Sequence, residues 1–144
     1  MLYKTRPEDF ESDKKVAACY IEYKGKILLL RRSDDDTQGG GQWGCPGGGV
    51  DANETPRTAI LREISEEIGL KFSEKDFIPS GEYYVHTKYG AFKHHIFRIV
   101  LKEIPDIKLS DEHSEYTFAT PDDALTFDLV PDEDECIRLT YNKY

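Results

Sequence analysis

The chain lacks any hydrophobic run long enough to cross a membrane, because its apolar runs, such as Ile27–Leu30, are far below the roughly 20 residues that a spanning helix needs. Its three cysteines, Cys19, Cys45 and Cys136, include no close pair. This excludes a disulfide framework and a cysteine-based zinc site, and we expect reduced, buried thiols. The segment MLYKTRPEDFESDKK lacks the apolar core of a secretion signal. The sequence therefore favours a cytoplasmic protein that does not contact membranes.

Positive charge is also scarce: 19 Lys and Arg face 28 Asp and Glu, which gives a net charge of −9. Non-specific binding to duplex nucleic acid depends on Lys and Arg neutralising phosphates, so that class of function is disfavoured. A small phosphorylated ligand remains compatible, because a bound divalent cation inverts the local field. We therefore expect any phosphate chemistry in this chain to depend on a metal ion.

The pattern of elements predicts one domain, residues 1–144, with a mixed α/β sandwich in which a helix packs on a sheet. Two hairpins are predicted, the first with Gly25 in its link and the second with Gly90 at its turn. Their strands are KVAACYIEY with KILLLRR, and GEYYVHTKYG with AFKHHIFRIVLKE. A further strand, a helical turn and a C-terminal helix follow in EHSEYTFA, TPDDAL and PDEDECIRLTYNKY. The acidic, glycine-rich SDDDTQGGGQ is predicted to be a loop and lacks the spacing of a calcium loop.

The central helix is predicted from DANETPRTAILREISEEIGL. Thr55 is a suitable N-cap, Pro56 fits the first helical position, and Gly69 can end the helix in the left-handed conformation. Leu61, Ile64 and Ile68 fall on one face at the helical period.

Three like charges crowd the same helix, at Glu63, Glu66 and Glu67. At about 100° per residue we expect them on an arc roughly opposite the apolar face. Such pairs repel by roughly 0.2–0.5 kcal/mol. The cluster is therefore either a solvated face or a site for a cation.

The spacing of the charged and glycine residues decides between these two interpretations. Gly48 is followed after five residues by Glu54, and after seven more by Arg62 and Glu63. An apolar residue, a free position, two glutamates, a free position, Gly69 and Leu70 complete the series. This series resembles the complete Nudix box, G-x5-E-x7-R-E-U-x-E-E-x-G-U, where U is apolar. The resemblance extends to KGKILLLRR, WGCPGGGV and EHSEYTFATPDDAL, over most of residues 15–125. It implies a Nudix-type α/β/α sandwich with a mixed sheet.

Physical chemistry supports the same site. Cleavage of a diphosphate places negative charge on oxygen atoms, and Mg²⁺ binds carboxylates, water and substrate phosphates together. Without side-chain bulk, the turn at Gly47, Gly48 and Gly49 lets the backbone approach a metal ion and a phosphate closely.

The resemblance implies a role for each residue of the box. Glu66 and Glu67 would be the main Mg²⁺ ligands, with Mn²⁺ as a substitute, and Glu63 would be a further ligand or a base. Gly48 would contribute its carbonyl oxygen to the metal. The supporting residues would be Arg62, which orients the carboxylates and whose i,i+4 relation to Glu66 permits an ion pair, Glu54 at the loop–helix junction, and Gly69.

Outside the box, the resemblance implies a further catalytic glutamate: Glu112, six residues before Phe118, with Glu115 as the competing choice. Phe118 replaces the Trp common in relatives. Arg31 or Arg32 could clamp phosphate, and strand alternation allows only one of them to face the site. Surface ion pairing is the alternative for either arginine.

Three further features are interpreted structurally. His94 and His95 are adjacent on a strand, so they point to opposite faces and cannot share a metal; we expect structural or surface roles, with a site role for one of them as the alternative. Four aromatic residues could stack on a base, although core packing is the favoured interpretation for any one of them: Trp43, Tyr83, Tyr84 and Tyr89. Cys45 replaces a larger apolar residue of the relatives, and we expect a packing adjustment there without cysteine chemistry. The loop at residues 33–42 could gate the site.

The predicted function is Mg²⁺-dependent hydrolysis of the pyrophosphate bond in a nucleoside diphosphate linked to a group X. A (deoxy)nucleoside triphosphate, oxidised forms included, is the first candidate, giving monophosphate and pyrophosphate. The alternatives are ADP-ribose, nucleotide-sugar or dinucleoside polyphosphate hydrolysis, a non-catalytic nucleotide sensor, and an acidic interaction domain that uses PDEDE. The sequence leaves open whether the chain is a monomer or a homodimer.

Overall fold

An eight-stranded mixed sheet forms the centre of the computed structural model, which describes residues 1–143. The strands are β1 (Leu2–Tyr3), β2 (Lys15–Tyr23), β3 (Lys26–Arg32), β4 (Trp43–Gly44), β5 (Gly47–Gly49), β6 (Ile78–Thr87), β7 (Gly90–Val100) and β8 (His113–Ala119). The helices are α1 (Pro56–Ile68), α2 (Pro121–Ala124) and α3 (Glu133–Tyr141), with a 3₁₀ turn at Glu74–Asp76. No helix in this range is long and apolar enough to span a bilayer.

The order β1-β6-β7-β2-β3-β4 places the longest strands at the middle of the sheet. β2 and β7 pair in parallel, whereas the two predicted hairpins, β2–β3 and β6–β7, are antiparallel. β2 and β3 stay paired only beside their turn, at Glu22 with Ile27 and Tyr23 with Lys26. Beyond that point β2 pairs with β5, while β3 pairs with β4 on one edge and β8 on the other. This separation of β2 from β3 opens the sheet where the glycine turn lies.

Helices cover both faces of the sheet, so the predicted sandwich is confirmed. Alternation along β2 divides the core: Ala17, Cys19 and Ile21 pack on the α1 side, while Tyr20 packs on the side of α2 and α3. The buried face of α1 consists of Ala59, Ile60, Ile64 and Ile68. Each large apolar side chain buried in this way stabilises the fold by about 1.5–3 kcal/mol.

Local signals placed the main elements correctly. α1 begins after Thr55, whose side chain accepts a hydrogen bond from Thr58 N–H, and ends at Gly69 with φ 72°. The three cysteines are free thiols, as predicted. β1, β4 and β5 were not predicted, because strands of two or three residues carry no periodicity and are held by pairing with longer strands.

Candidate active site

The carboxylates of α1 do not share one exposed arc, and the expectation that they lie opposite the apolar face was wrong. Glu67 is only 3% exposed, and the Glu63 side chain is 13% exposed against 59% for Glu66. The helical step places Glu67 about 60° and Glu63 about 100° from Ile64, so both flank the buried face. Only Glu66 projects from the far side of the helix into solvent.

The glycine turn in β5 contacts the two buried carboxylates directly. Gly47 N–H donates a hydrogen bond to Glu67 Oε1 at 3.0 Å. At Gly48, a Cβ would lie 2.4 Å from Glu63 Cδ, and at Gly47 it would lie 2.5 Å from the Ala17 carbonyl oxygen. Neither position can hold a larger residue unless the neighbouring atoms move, so the backbone of the turn packs directly against the carboxylates.

Arg62 connects three acidic residues of the box, Glu54, Glu63 and Glu66, in one network. Its Nε and Nη2 each lie 2.8 Å from the Glu54 carboxylate, and Nη2 also donates to the Gly49 carbonyl at 3.0 Å. Its Nη1 donates to Glu63 at 2.9 Å and to Glu66 at 3.3 Å, so the predicted i,i+4 ion pair is present. Hydrogen bonds from Arg62 lower the pKa of Glu54 to about 2. Arg62 therefore connects the glycine turn to the acidic face of α1.

Glu63 and Glu67 are held close enough to disfavour two negative charges. Burial raises the pKa of Glu67 to about 9, the nearby Glu63 and Glu112 carboxylates raise it too, and the Gly47 N–H opposes them. Burial also raises the pKa of Glu63, while Arg62 opposes the shift. A proton or a cation relieves the repulsion between such carboxylates. Carboxylate and backbone carbonyl oxygens are hard ligands of the kind that Mg²⁺ prefers, so this arrangement fits the ion chemically. Among the described residues, however, no three metal-ligating side chains already stand close enough together to hold an ion.

A cavity of about 350 Å³ adjoins this turn, on the sheet face opposite α1. We call the part of its lining next to α1 and the glycine turn, Gly47, Gly48, Glu67 and Glu112, its mouth. Its walls come from β2, β6 and β7, from the start of α3, and from the loop after β3: Val16, Ala18, Val85, Phe92, His94, Val130, Pro131, Asp132, Glu133, Arg32, Asp36 and Gln38. The separation of β2 from β3 makes room for it.

The sequence left two choices open, Glu112 or Glu115 and Arg31 or Arg32, and the structure places the two members of each pair differently. Glu112 lines the cavity and acts on the pKa of Glu67, whereas Glu115 is 61% exposed and pairs with Arg31 at 3.7 Å. Arg32 lines the cavity, where it donates to the Gln38 carbonyl and pairs with Asp36 at 3.7 Å, whereas Arg31 is not among the lining residues and donates to Asp34 at 2.9 Å. The geometry thus favours Glu112 over Glu115 and Arg32 over Arg31 as residues of the site.

The profile of the NUDIX domain matches residues 13–140. The chain belongs to the NUDIX family. The stretch from the glycine turn through α1 carries every fixed position of the Nudix box, from Gly48 to Leu70.

The sequence relatives of this Nudix chain include two enzymes of Escherichia coli. The CTP pyrophosphohydrolase of strain K12 is 30% identical over 119 residues, covering 81% of this chain and 82% of the relative. The nucleoside triphosphatase NudI of Escherichia coli O81 (strain ED1a) is 30% identical over 127 residues, covering 83% of this chain and 90% of the relative. The RNA pyrophosphohydrolase of Gluconacetobacter diazotrophicus is 44% identical over 69 residues, a match that spans only 41% of its length. The family match and these names support the prediction of a Nudix pyrophosphohydrolase.

Solved structures show the same fold. A MutT protein from Methanosarcina mazei superposes with a TM-score of 0.73 at 26% identity, covering 90% of this chain and 95% of that one. The NUDIX domain of Shewanella oneidensis NrtR, complexed with ADP ribose, gives 0.77 at 17% identity, covering 96% and 93%. The predicted Nudix-type fold is therefore confirmed.

The candidate stacking residues of the Nudix chain are dispersed. Tyr89 lines the cavity, while Trp43 packs edge-on against Phe127 at 5.4 Å. Tyr84 faces Lys93, and Tyr83 borders the core on the side of α2 and α3. Core packing was the correct interpretation for two of the four, Trp43 and Tyr83.

Glu133 is a cavity residue that the sequence did not reveal. The sequence offered PDEDE as the exposed contact of an acidic interaction domain, but Glu133 is only 7% exposed and accepts hydrogen bonds from Tyr20 OH and from Cys45 N–H. The signal was its spacing: Glu133, Cys136 and Ile137 stand at i, i+3 and i+4 on one buried face of α3.

Two predictions about the surroundings of the site have different outcomes. Burial raises the pKa of Cys45 well above its ordinary value, so the thiol stays protonated, in agreement with a packing role. The loop at residues 33–42 is irregular as predicted, and Ser33 hydrogen bonds tie it to the backbone of Asp111 and Glu112. A gating role for this loop stays a prediction.

Proposed function

We propose that this Nudix chain hydrolyses the pyrophosphate bond of a nucleoside diphosphate linked to X, with Mg²⁺ bound. Nucleoside and deoxynucleoside triphosphates, oxidised forms included, are the first substrate class, and the products are a monophosphate and pyrophosphate. One observation carries the proposal: the Glu63 and Glu67 carboxylates meet the Gly47–Gly48 backbone at the mouth of a 350 Å³ cavity. The names of the two Escherichia coli relatives support a triphosphate substrate.

Glu63, Glu66, Glu67 and the Gly48 carbonyl would hold the Mg²⁺. When bound, the ion supplies charge stabilisation on the phosphate oxygens and a more acidic water. Loss of the proton that burial favours on Glu67 would make both carboxylates available as ligands.

The chain itself positions the substrate and the proton acceptor. The Arg32 side chain reaches the cavity, where a guanidinium can bind two phosphate oxygens at once. Arg62 keeps Glu63 in place through a 2.9 Å hydrogen bond. Glu112 stands near Glu67 at the mouth and takes up the proton of the attacking water.

The test is a panel of nucleotides incubated with Mg²⁺ or Mn²⁺, assayed for phosphate and pyrophosphate release. It compares the wild type with Glu67→Gln and with Glu115→Gln, an exposed control. Loss of a carboxylate at the reacting centre lowers kcat by about 10²–10⁴-fold, so Glu67→Gln should lose turnover while Glu115→Gln retains it. Oxygen-18 from labelled water identifies the phosphorus that is attacked.

Each other outcome contradicts part of the proposal. Turnover of ADP-ribose, nucleotide sugars or dinucleoside polyphosphates in preference to triphosphates would replace the substrate class. Tight nucleotide binding without turnover on any substrate would make the chain a sensor. Equal activity of Glu67→Gln and the wild type would show that the Glu63–Glu67 carboxylate pair takes no part in the reaction.

A further inference from the structure

The cavity wall formed by β2 and β7 is apolar except at one position. Val16 and Ala18 from β2 and Phe92 from β7 line it with hydrocarbon. The fourth residue is His94, on β7. A flat, polar ligand bound against this wall can make a polar contact with it only at His94. This residue therefore determines which orientation of the ligand is favourable.

His94 is held firmly by its neighbours. β7 is an inner strand, and His94 pairs with Val16 of β2 on one side and with Tyr83 of β6 on the other. Its ring meets the Phe92 ring edge-on, with centroids 5.6 Å apart and planes at 66°. Little side-chain freedom is left to lose on binding, so a hydrogen bond from this ring carries a small entropic cost.

The imidazole has an unsatisfied polar atom. Nδ1 is buried and has no hydrogen-bond partner among residues 1–143. Burial, assisted by His95, lowers the pKa of His94 to about 4, so the ring is neutral at physiological pH and carries one N–H and one bare nitrogen. A buried N–H without an acceptor is rarer than a buried acceptor without a donor. The proton therefore belongs on Nε2, and Nδ1 carries the bare lone pair.

One nucleoside can span the distance between the glycine turn and His94. Val16 pairs with Gly49 of β5 on one edge and with His94 of β7 on the other. Neighbouring strands lie 4.7–4.9 Å apart, so His94 stands about 10 Å across the sheet from the turn at the phosphate end. Paired residues project to the same face, which is the face that holds the cavity.

We propose that His94 binds the nucleobase of the substrate, donating its Nε2–H to a ring nitrogen or carbonyl oxygen of the base. Val16, Ala18 and Phe92 cover the apolar surface of the same ligand. The inference rests on the proposed function. It adds a residue by which the enzyme selects nucleotides over phosphoanhydrides that lack a nucleobase. His94 is a specificity residue and takes no part in the transfer of the phosphoryl group.

The first test compares His94→Phe, His94→Gln and His95→Phe with the wild type. His95 is a matched control, because it is next along the same strand but on the opposite face, where its Nδ1 lies 3.2 Å from Glu82. One lost hydrogen bond corresponds to about a 2–10-fold loss of binding. His94→Phe should raise KM for a nucleoside triphosphate by that factor with kcat unchanged, the pattern of lost ground-state binding. His94→Gln should restore part of it, and His95→Phe should leave KM unchanged.

A substrate without a base sharpens the comparison. KM for inorganic tripolyphosphate should be the same in the wild type and in His94→Phe, because this substrate cannot reach the imidazole. An equal rise in KM for both substrates, or no rise for either, would overturn the inference.

The second test uses only the wild-type chain, so it does not depend on the folding of a variant. Imidazole nitrogen NMR should show His94 as the neutral Nε2–H tautomer, and this signal should shift on addition of a nucleoside monophosphate with Mg²⁺ but not of ribose 5-phosphate. A shift without hydrolysis of any nucleotide would disprove the proposed function and leave the base contact standing. Hydrolysis with an unmoved His94 signal, or an Nδ1–H tautomer, would disprove the base contact alone.

Discussion

Gly48 and Glu63 share a space that only a glycine leaves open. A Cβ at position 48 would lie 2.4 Å from Glu63 Cδ, whereas a Cβ at Gly49 would meet nothing within 4 Å. Two neighbouring glycines in one strand thus differ completely in what surrounds them. The difference arises because Gly48 and Gly49 project to opposite faces of β5, and only the Gly48 side is occupied by the Glu63 carboxylate of α1.

This difference predicts the effect of two matched substitutions. Gly48→Ala should displace the Glu63 carboxylate and lower kcat by about 10²-fold, the cost of a displacement of about 1 Å at a reacting centre. Gly49→Ala should retain activity. Steady-state kinetics with Mg²⁺ measures both, and thermal melting shows that each variant is folded. Similar kcat values for the two variants would mean that close packing of the turn against Glu63 is unimportant.

Among the elements, α1 carries the carboxylates, and hydrogen bonds at its N-terminus hold it in position. Thr55 and Thr58 form a reciprocal capping box, with Thr58 N–H donating to the Thr55 side chain and Thr55 N–H donating to the Thr58 side chain. Arg62 then connects the first two turns of the helix to the loop through Glu54. The cap therefore contributes both to stability and to the placement of the site.

Removal of this cap should be measurable as a loss of stability. Thr55→Ala should lower the free energy of unfolding by about 1 kcal/mol, because one of the first helical N–H groups loses its acceptor. Thr55→Ser retains the hydroxyl and serves as the control. Urea unfolding followed by circular dichroism gives both values. Equal destabilisation by Ala and Ser would assign the effect to the threonine methyl group and not to the cap.

For the whole molecule, the buried Glu67 beside the partly buried Glu63 makes folding depend on pH, and a cation bound at the proposed site should act on the same balance. The pKa of Glu67 lies at about 9 in the folded chain and near its ordinary value of 4.5 when unfolded. Between these values the folded state holds the proton more firmly than the unfolded state does. The free energy of unfolding therefore falls as the pH rises through this window.

Thermal melting in a chelator should show this fall from about pH 4.5 to about pH 9, by at most about 1.4 kcal/mol per pH unit from this group. Glu67→Gln should flatten the profile, because an amide does not titrate. Excess Mg²⁺ should raise the melting temperature of the wild type most at the alkaline end, since the cation replaces the proton. A wild-type profile parallel to that of Glu67→Gln would refute the coupling.

The amino-acid sequence alone determined the family, the two hairpins and the bounds of α1. Periodicity, capping residues and motif spacing are local properties, and the local signals at Thr55, Gly69 and the box agree with the fold. The tertiary structure decided which face each polar residue occupies. Glu67 is buried because β5 closes over α1, Glu133 because α3 packs on Tyr20, and His94 lines a cavity because β2 separates from β3. These placements depend on contacts between residues distant in the chain, which no window of sequence contains.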